Sequence, residues 1–167
     1  MKSSLLFDFS VNRENKTIHL KREFNGNLEL VWKAWTTAEL LDQWWAPKPY
    51  RNRTKTLDFR EGGTWLYYMI SPKDEIHWCK ADYIKIEFQK LVSWLDAFCD
   101  EHGNDNSGKP RSLWTNIFSE DNGITTVNVT LQHNTWEDVE RLISMGLKEG
   151  FSMALQNLDE LLSDLKR

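Results

Sequence analysis

The sequence predicts an α+β fold in which a curved antiparallel sheet wraps around a long C-terminal helix, with two short helices after the first strand. Segments of period-two alternation, separated by turn residues, follow one another from Tyr50 to Gln132. Apolar residues then recur at helical spacing from Trp136 to Leu165. Nine tryptophans stand in 167 residues, four of them within residues 28–47. That many wide rings build a thick core or line an apolar cavity.

Residues 16–24 alternate Ile18, Leu20, Arg22 and Phe24 against Thr17, His19, Lys21 and Glu23, the pattern of a first strand with one dry face. Asn25, Gly26 and Asn27 break it. Leu28, Val31, Trp32 and Trp35 then fall at i, i+3, i+4 and i+7, one stripe of a short helix capped by Asn27 or Asn25 and ending near Thr36. A second short helix starts at Thr37 as N-cap and buries Leu40, Leu41, Trp44 and Trp45. Pro47 and Pro49 end it.

Strands follow at 54–60 and 64–70 around a Gly62-Gly63 turn, the second with Trp65, Tyr67 and Met69 on one face. Residues 75–88 are long for one strand. Their apolar phase, Ile76 and Trp78 and then Ile84, Ile86 and Phe88, crosses the polar Lys80 and Asp82, which predicts a bulge or bend near Ala81. A strand at 91–100 leads into EHGNDNSGKPR at 101–111, expected to be a mobile loop. Strands at 111–119 and 123–132 form a hairpin across Asn122-Gly123, a pair that supplies the positive φ angles of a tight turn.

From Trp136 to Leu165 the spacing predicts a long amphipathic helix. Thr135 and Asp138 resemble a capping box in which Asp replaces Glu or Gln, and Gly146 and Gly150 favour a kink. The order is thus one strand, two short helices, about six antiparallel strands and a terminal helix. The simplest burial scheme curls the sheet around that helix while the short helices seal one end, a helix-grip arrangement.

The chain is read as one domain over 1–167 with its core at about 16–165; at this length roughly two thirds of the unfolded surface is buried. Lys and Arg number 21 against 25 Asp and Glu, a formal charge of −4, and no basic stripe forms that would neutralise a row of phosphates, so nucleic acid is excluded as a partner. Leu5, Leu6 and Phe7 are followed at once by Asp8, too short a run for a signal peptide or a membrane span. A cytoplasmic location without membrane contact is expected. Cys79 and Cys99 form no CxxC pair and read as two buried or half-buried thiols.

Three segments, VWKAWTTAELLDQWWAP at 31–47, LDFREGGTW at 57–65 and EGF at 149–151, resemble the activator-of-heat-shock-protein-90-ATPase-like (AHSA-type) family, in its bacterial single-domain form. That family belongs to the START-related, birch-pollen-allergen-like superfamily (SRPBCC), and the likeness runs over roughly residues 16–165. Ala46, Phe151 and Asn25 to Asn27 depart from the family pattern. The resemblance implies a START-like helix-grip fold with a deep hydrophobic cavity between sheet and long helix, used across the superfamily for lipids, polyketides and other apolar molecules. It implies no fixed catalytic set. The family name comes from longer proteins with an additional N-terminal domain, which this chain is expected to lack, so a chaperone partner is not expected.

The four histidines, His19, His77, His102 and His133, lie in separate elements without a nucleophile, base and orienter in sequence reach. His77 with Cys79 and Cys99 with His102 would make a metal site only by chance of folding, and no metal or cofactor is assigned. Gly62-Gly63 lacks the GxxxxGK[ST] context of a phosphate loop and reads as a hairpin turn. Trp32, Trp35, Trp45, Trp65, Trp78, Trp94 and Trp114 either fill the core or line a void. Parity adds Tyr67 and Met69 beside Trp65, Asp96 between Trp94 and Phe98, and Asn116 between Trp114 and Phe118. The candidate pocket residues are Trp35, Trp45, Trp65, Tyr67, Met69, Trp78, Trp94, Asp96, Phe98, Trp114, Asn116 and Phe151 of the last helix. The reading is non-catalytic binding of a small apolar or aromatic molecule. A cyclase- or aromatase-type enzyme acting through Asp96, Tyr67 or His77, or a chaperone-interacting protein, are the alternatives, and a homodimer stays open.

Overall fold

The computed structural model describes residues 5–105 and 108–166. Eight strands and four helices follow in the order β1 (Phe7–Asn12), β2 (Thr17–Asn25), α1 (Leu28–Thr36), α2 (Ala38–Trp44), β3 (Arg51–Leu57), β4 (Thr64–Ile70), β5 (Ile76–Glu87), β6 (Leu91–Phe98), β7 (Leu113–Asp121), β8 (Ile124–Gln132), α3 (Trp136–Ser144) and α4 (Leu147–Leu165). One sheet runs β1-β2-β8-β7-β6-β5-β4-β3, with every neighbouring pair antiparallel. The arrangement is the predicted helix grip, with one addition. Strand β1 had not been expected, although Phe7, Phe9 and Val11 alternate with Asp8, Ser10 and Asn12; it pairs with β2 across a turn that puts Lys16 at φ 57°.

The two short helices follow from their caps. Asn27 accepts from the Leu30 N–H at 2.8 Å and starts α1. Thr37 stands at the N-cap place of α2, but its hydroxyl donates back to the Lys33 carbonyl at 2.8 Å, closing α1 instead of opening α2. Asp42 of α2 accepts from the Asn52 amide, the Thr54 N–H and the Thr54 hydroxyl at 2.7–3.1 Å. This clamp begins β3 at Arg51, earlier than the expected 54–60, and leaves residues 58–60 to the turn, where Gly63 donates to the Arg60 carbonyl.

The bulge in β5 falls between Tyr83 and Lys85, a little beyond Ala81. Its extra residue, Ile84, is exposed, and the apolar phase changes there: Tyr83 is buried before the bulge and Ile86 packs on the core after it. The β7–β8 hairpin turns on Asn122 (φ 51°) and Gly123 (φ 81°) as predicted. In the 101–111 segment, residues 106 and 107 lie outside the described residues, and with them part of the expected mobile loop.

The C-terminal periodic run is two helices. Thr135 accepts from the Asp138 N–H and caps α3, and Gly146 at φ 91° separates α3 from α4. That left-handed angle carries little penalty without a Cβ. Over 19 residues, about 28 Å, α4 buries Phe151, Ala154, Leu155, Leu158, Leu161 and Leu162, an i, i+3, i+4 stripe laid against α1, α2 and β2. No described helix is long and apolar enough to cross a membrane.

Candidate functional site

Sheet register decides which side chains face α4. Residues directly opposite in a ladder share a face, so the pairs Trp65–Ala81, Tyr67–Cys79 and Met69–His77 bring β4 and β5 together. The pairs Cys79–Phe98, Ala81–Asp96 and Tyr83–Trp94 carry that face to β6. Trp94–Trp114 and Val92–Asn116 extend it to β7, and Trp114–Leu131 and Asn116–Val129 to β8. Trp65, Tyr67, Met69, Trp94, Asp96, Phe98, Trp114 and Asn116 therefore lie on the inner face, as parity had suggested.

Trp78 does not. It pairs with Tyr68 on the opposite face, where the two rings meet at 4.6 Å and the Lys55 ammonium lies 5.7 Å from the indole. The apolar phase of β5 misled because its outer face also carries a large ring, sheltered by a neighbouring strand. Trp78 is removed from the candidate pocket.

The inner rings meet helix rings edge to face. Trp45 is the hub, 5.4 Å from Trp65, 6.0 Å from Trp94, 5.6 Å from Trp114 and 5.9 Å from Phe151. Trp35 contacts Trp44, Trp45, Phe118 and Phe151 at 5.0–6.5 Å. Trp65 stacks on Tyr67 and Trp94 on Trp114. T-shaped and offset pairs of this kind each contribute about 0.5–1.5 kcal/mol beyond area burial. The cluster is closed at the α1 end, where Trp32 packs on Phe59, Phe88 and Phe118. At the opposite end Met69, Cys79, Asp96 and Phe98 are only half-buried.

Polar groups concentrate at that half-buried end. The Trp45 indole N–H donates to the Tyr67 hydroxyl at 3.2 Å. Burial raises the Tyr67 pKa well above the phenol range and pushes the Cys79 thiol up to about 12, so both stay protonated. Asp96 accepts from the Ser112 N–H at 2.7 Å and the Trp114 indole N–H at 2.8 Å. Burial outweighs these donors and lifts its carboxyl to about 6. Asn116, fully buried, donates to the Val92 carbonyl at 3.0 Å. Its Oδ1, like the Trp35 Nε1, has no partner among the described residues.

Ser112 and His133, facing each other across the start of β7 and the end of β8, had not been singled out as a pair. The Ser112 hydroxyl lies 2.7 Å from the His133 Nε2, and burial lowers the histidine pKa. Which of the two donates depends on the ring tautomer; the ring Nδ1 has no hydrogen-bond partner among the described residues. Both side chains are buried, at 2% and 3% exposure. His77 and Cys79 share the inner face, but no group of three or more metal-binding side chains converges among the described residues.

A separate open groove of about 320 Å³ lies at the far end of α4, lined by Leu5, Asn25, Asp159, Leu162, Ser163 and Lys166. Beside it the buried Arg22 side chain forms a salt bridge with Asp159, which ties β2 to α4.

Solved structures share this architecture. A crystal structure of protein Ms6760 from Mycobacterium smegmatis is 25% identical over 95% of this chain and 97% of its own, with a TM-score of 0.86. A solution structure from Arthrobacter aurescens is 24% identical over 94% and 91%, with a TM-score of 0.88. One from Staphylococcus epidermidis is 26% identical over 93% and 94%, with a TM-score of 0.82. No protein of curated function matches the chain. The family model described as Activator of Hsp90 ATPase homolog 1-like protein matches residues 25–163, from the end of β2 through nearly all of α4, and the chain belongs to that family.

Proposed function

We propose that this chain is a non-catalytic binding protein that takes a small apolar or aromatic molecule between the inner sheet face and α4. The observation that carries this reading is the aromatic cluster itself: rings from α1, α2, β4, β6, β7 and α4 converge on Trp45 and are buried, with the half-buried Met69, Cys79, Asp96 and Phe98 at one end of them. Apolar walls with a few convergent polar groups are the general form of a small-molecule site. The unpartnered Asn116 Oδ1 and Trp35 Nε1 supply one acceptor and one donor that a guest would satisfy. Family membership supports the same reading, since helix-grip folds of this kind commonly hold hydrophobic ligands.

The Ser112–His133 pair does not favour an enzyme. It has the hydrogen bond of a nucleophile and its base, but no carboxylate orients Nδ1 among the described residues, and at 2–3% exposure no carbonyl reaches the hydroxyl.

Tryptophan fluorescence during titration with a neutral naphthalene probe tests the proposal. Saturable one-to-one quenching is expected, unchanged in Trp78→Phe on the outer face and weakened about tenfold in Met69→Trp, which narrows the half-buried end. The reading is refuted if quenching does not saturate, or if Trp78→Phe abolishes it while Met69→Trp does not.

A further inference from the structure

We propose that the guest of this site is a lipophilic organic amine, whose ammonium group sits on the Asp96 carboxylate between the rings of Trp94, Trp114 and Phe98. The inference rests on the binding reading above and specifies the chemistry of the ligand.

Among the described residues, the β4–β8 register puts Asp96 on the inner face beside the rings, whereas Glu120, of the same parity, is exposed at the far end of β7. Its two oxygens accept from neutral groups, the Ser112 backbone N–H and the Trp114 indole. Of the nearby cations, Arg111 acts on this carboxylate through space but makes its hydrogen bonds elsewhere. Arg111 gives its guanidinium to the Asp82 carboxylate at 2.6 Å and to the backbone carbonyls of Leu95 and Asp96 at 3.1 and 2.9 Å, and Asp82 also takes Lys80 and the Thr64 hydroxyl. The carboxylate thus stands half-buried beside the inner rings, with neutral donors on both oxygens. Each oxygen keeps lone-pair capacity for a further donor.

Three more observations agree on the sign of the missing charge. The side chains flanking Asp96 on its face are Trp94 and Phe98, and Trp114 holds its Oδ2; aromatic faces attract cations through their quadrupoles. The Lys109 ammonium already stands 4.5 Å over the Phe98 ring, so an alkylammonium is accommodated at this rim by the protein's own chain. Deeper on the same face, the unpartnered Asn116 Oδ1 is a second acceptor. An anionic guest would meet Asp96 with like charge, and a hydrocarbon would bury it without compensation. Burial leaves Asp96 with a pKa of about 6, still ionised at neutral pH.

Three probes of one size and different charge decide the question at pH 7.5: naphthylmethylammonium, naphthylmethanol and naphthoate, each titrated into the intact chain by calorimetry. The ammonium is expected to bind at least tenfold more tightly than the alcohol, with naphthoate weakest. In Asp96→Asn the ammonium and alcohol should become equal within about twofold, while Asp96→Glu keeps a preference for the ammonium. Equal affinity of ammonium and alcohol in the unmodified chain, or tightest binding of naphthoate, overturns the amine assignment and leaves the binding reading standing. If none of the three binds, the binding reading falls and the assignment with it. The ranking in the unmodified chain needs no variant to fold.

Discussion

Asp96 should make the stability of this protein fall as pH rises through the weakly acidic range. Its carboxyl titrates at about 6 in the folded chain against an ordinary value of 3.8. Between those values the folded state holds a proton that the unfolded state has released, and stability declines with pH wherever the native state binds more protons. The favourable contribution is complete below pH 3.8 and lost as pH passes 6. A rise of about two pH units corresponds to about 3 kcal/mol at most, because partial exposure lets solvent share in screening the charge.

The perturbation is Asp96→Asn, which keeps an acceptor for one of the two donors, Ser112 N–H or Trp114 Nε1–H, and removes the titration. Losing the other acceptor costs about 1–3 kcal/mol at every pH, so the absolute stability of the variant is not the readout. The readout is the difference in unfolding free energy between the unmodified chain and the variant, from urea titrations followed by tryptophan fluorescence between pH 3.5 and 7.5. Taking the difference cancels the other carboxylates and histidines. It should shift by about 2–3 kcal/mol in favour of the variant from pH 4 to pH 7. A flat difference would refute the claim that this carboxylate is driven into an apolar environment by the fold. An opposite slope would show that a cation compensates it.

The Arg22–Asp159 bridge sits with the arginine side chain at 10% exposure and its Nε without a partner among the described residues. Asp159→Ala should cost about 2–3 kcal/mol in urea unfolding, while the double change Arg22→Met with Asp159→Leu recovers most of it, since an unpaired buried charge costs more than an apolar pair; equal losses in the single and double variants would contradict this. Gly63→Ala would place a methyl 2.1 Å from the Asp58 carbonyl oxygen and should destabilise by about 2–4 kcal/mol. A loss under about 1 kcal/mol in the same assay would mean that the turn relaxes around it.

The fold was legible because its long periodic segments are regular. The helical stripe from Trp136 onward gave α4, and Asn122-Gly123 gave the β7–β8 hairpin with its register, which continued outward places Ser112 opposite His133. That pairing is implied by the turn alone, because a two-residue loop at Asn122-Gly123 fixes every opposite pair along both strands. Strand β1 was less legible. Its six-residue alternation beginning at Phe7 is short and mostly exposed, so hydrophobicity marks it weakly and only the ladder to β2 defines it.

The inner face of the candidate site was legible strand by strand wherever large rings occupy only that face, as in β6 and β7. In β5 the outer face carries Trp78 against Tyr68 while the inner face carries His77, Cys79 and Ala81, so hydrophobicity alone selects the wrong phase. Only the pairing with β4 corrects it. Trp65 and Tyr67 fix that strand's inner face, and the ladder then requires Ala81 and Cys79 to join them. The small Ala81 side chain also has a physical account: it lies between Trp65 on one side and Asp96 on the other, and a larger residue there would compete with the indole for the space in front of the carboxylate. The same register that turns Trp78 away from the inner face therefore sets Asp96 beside aromatic rings, the setting from which an organic cation is proposed as the guest.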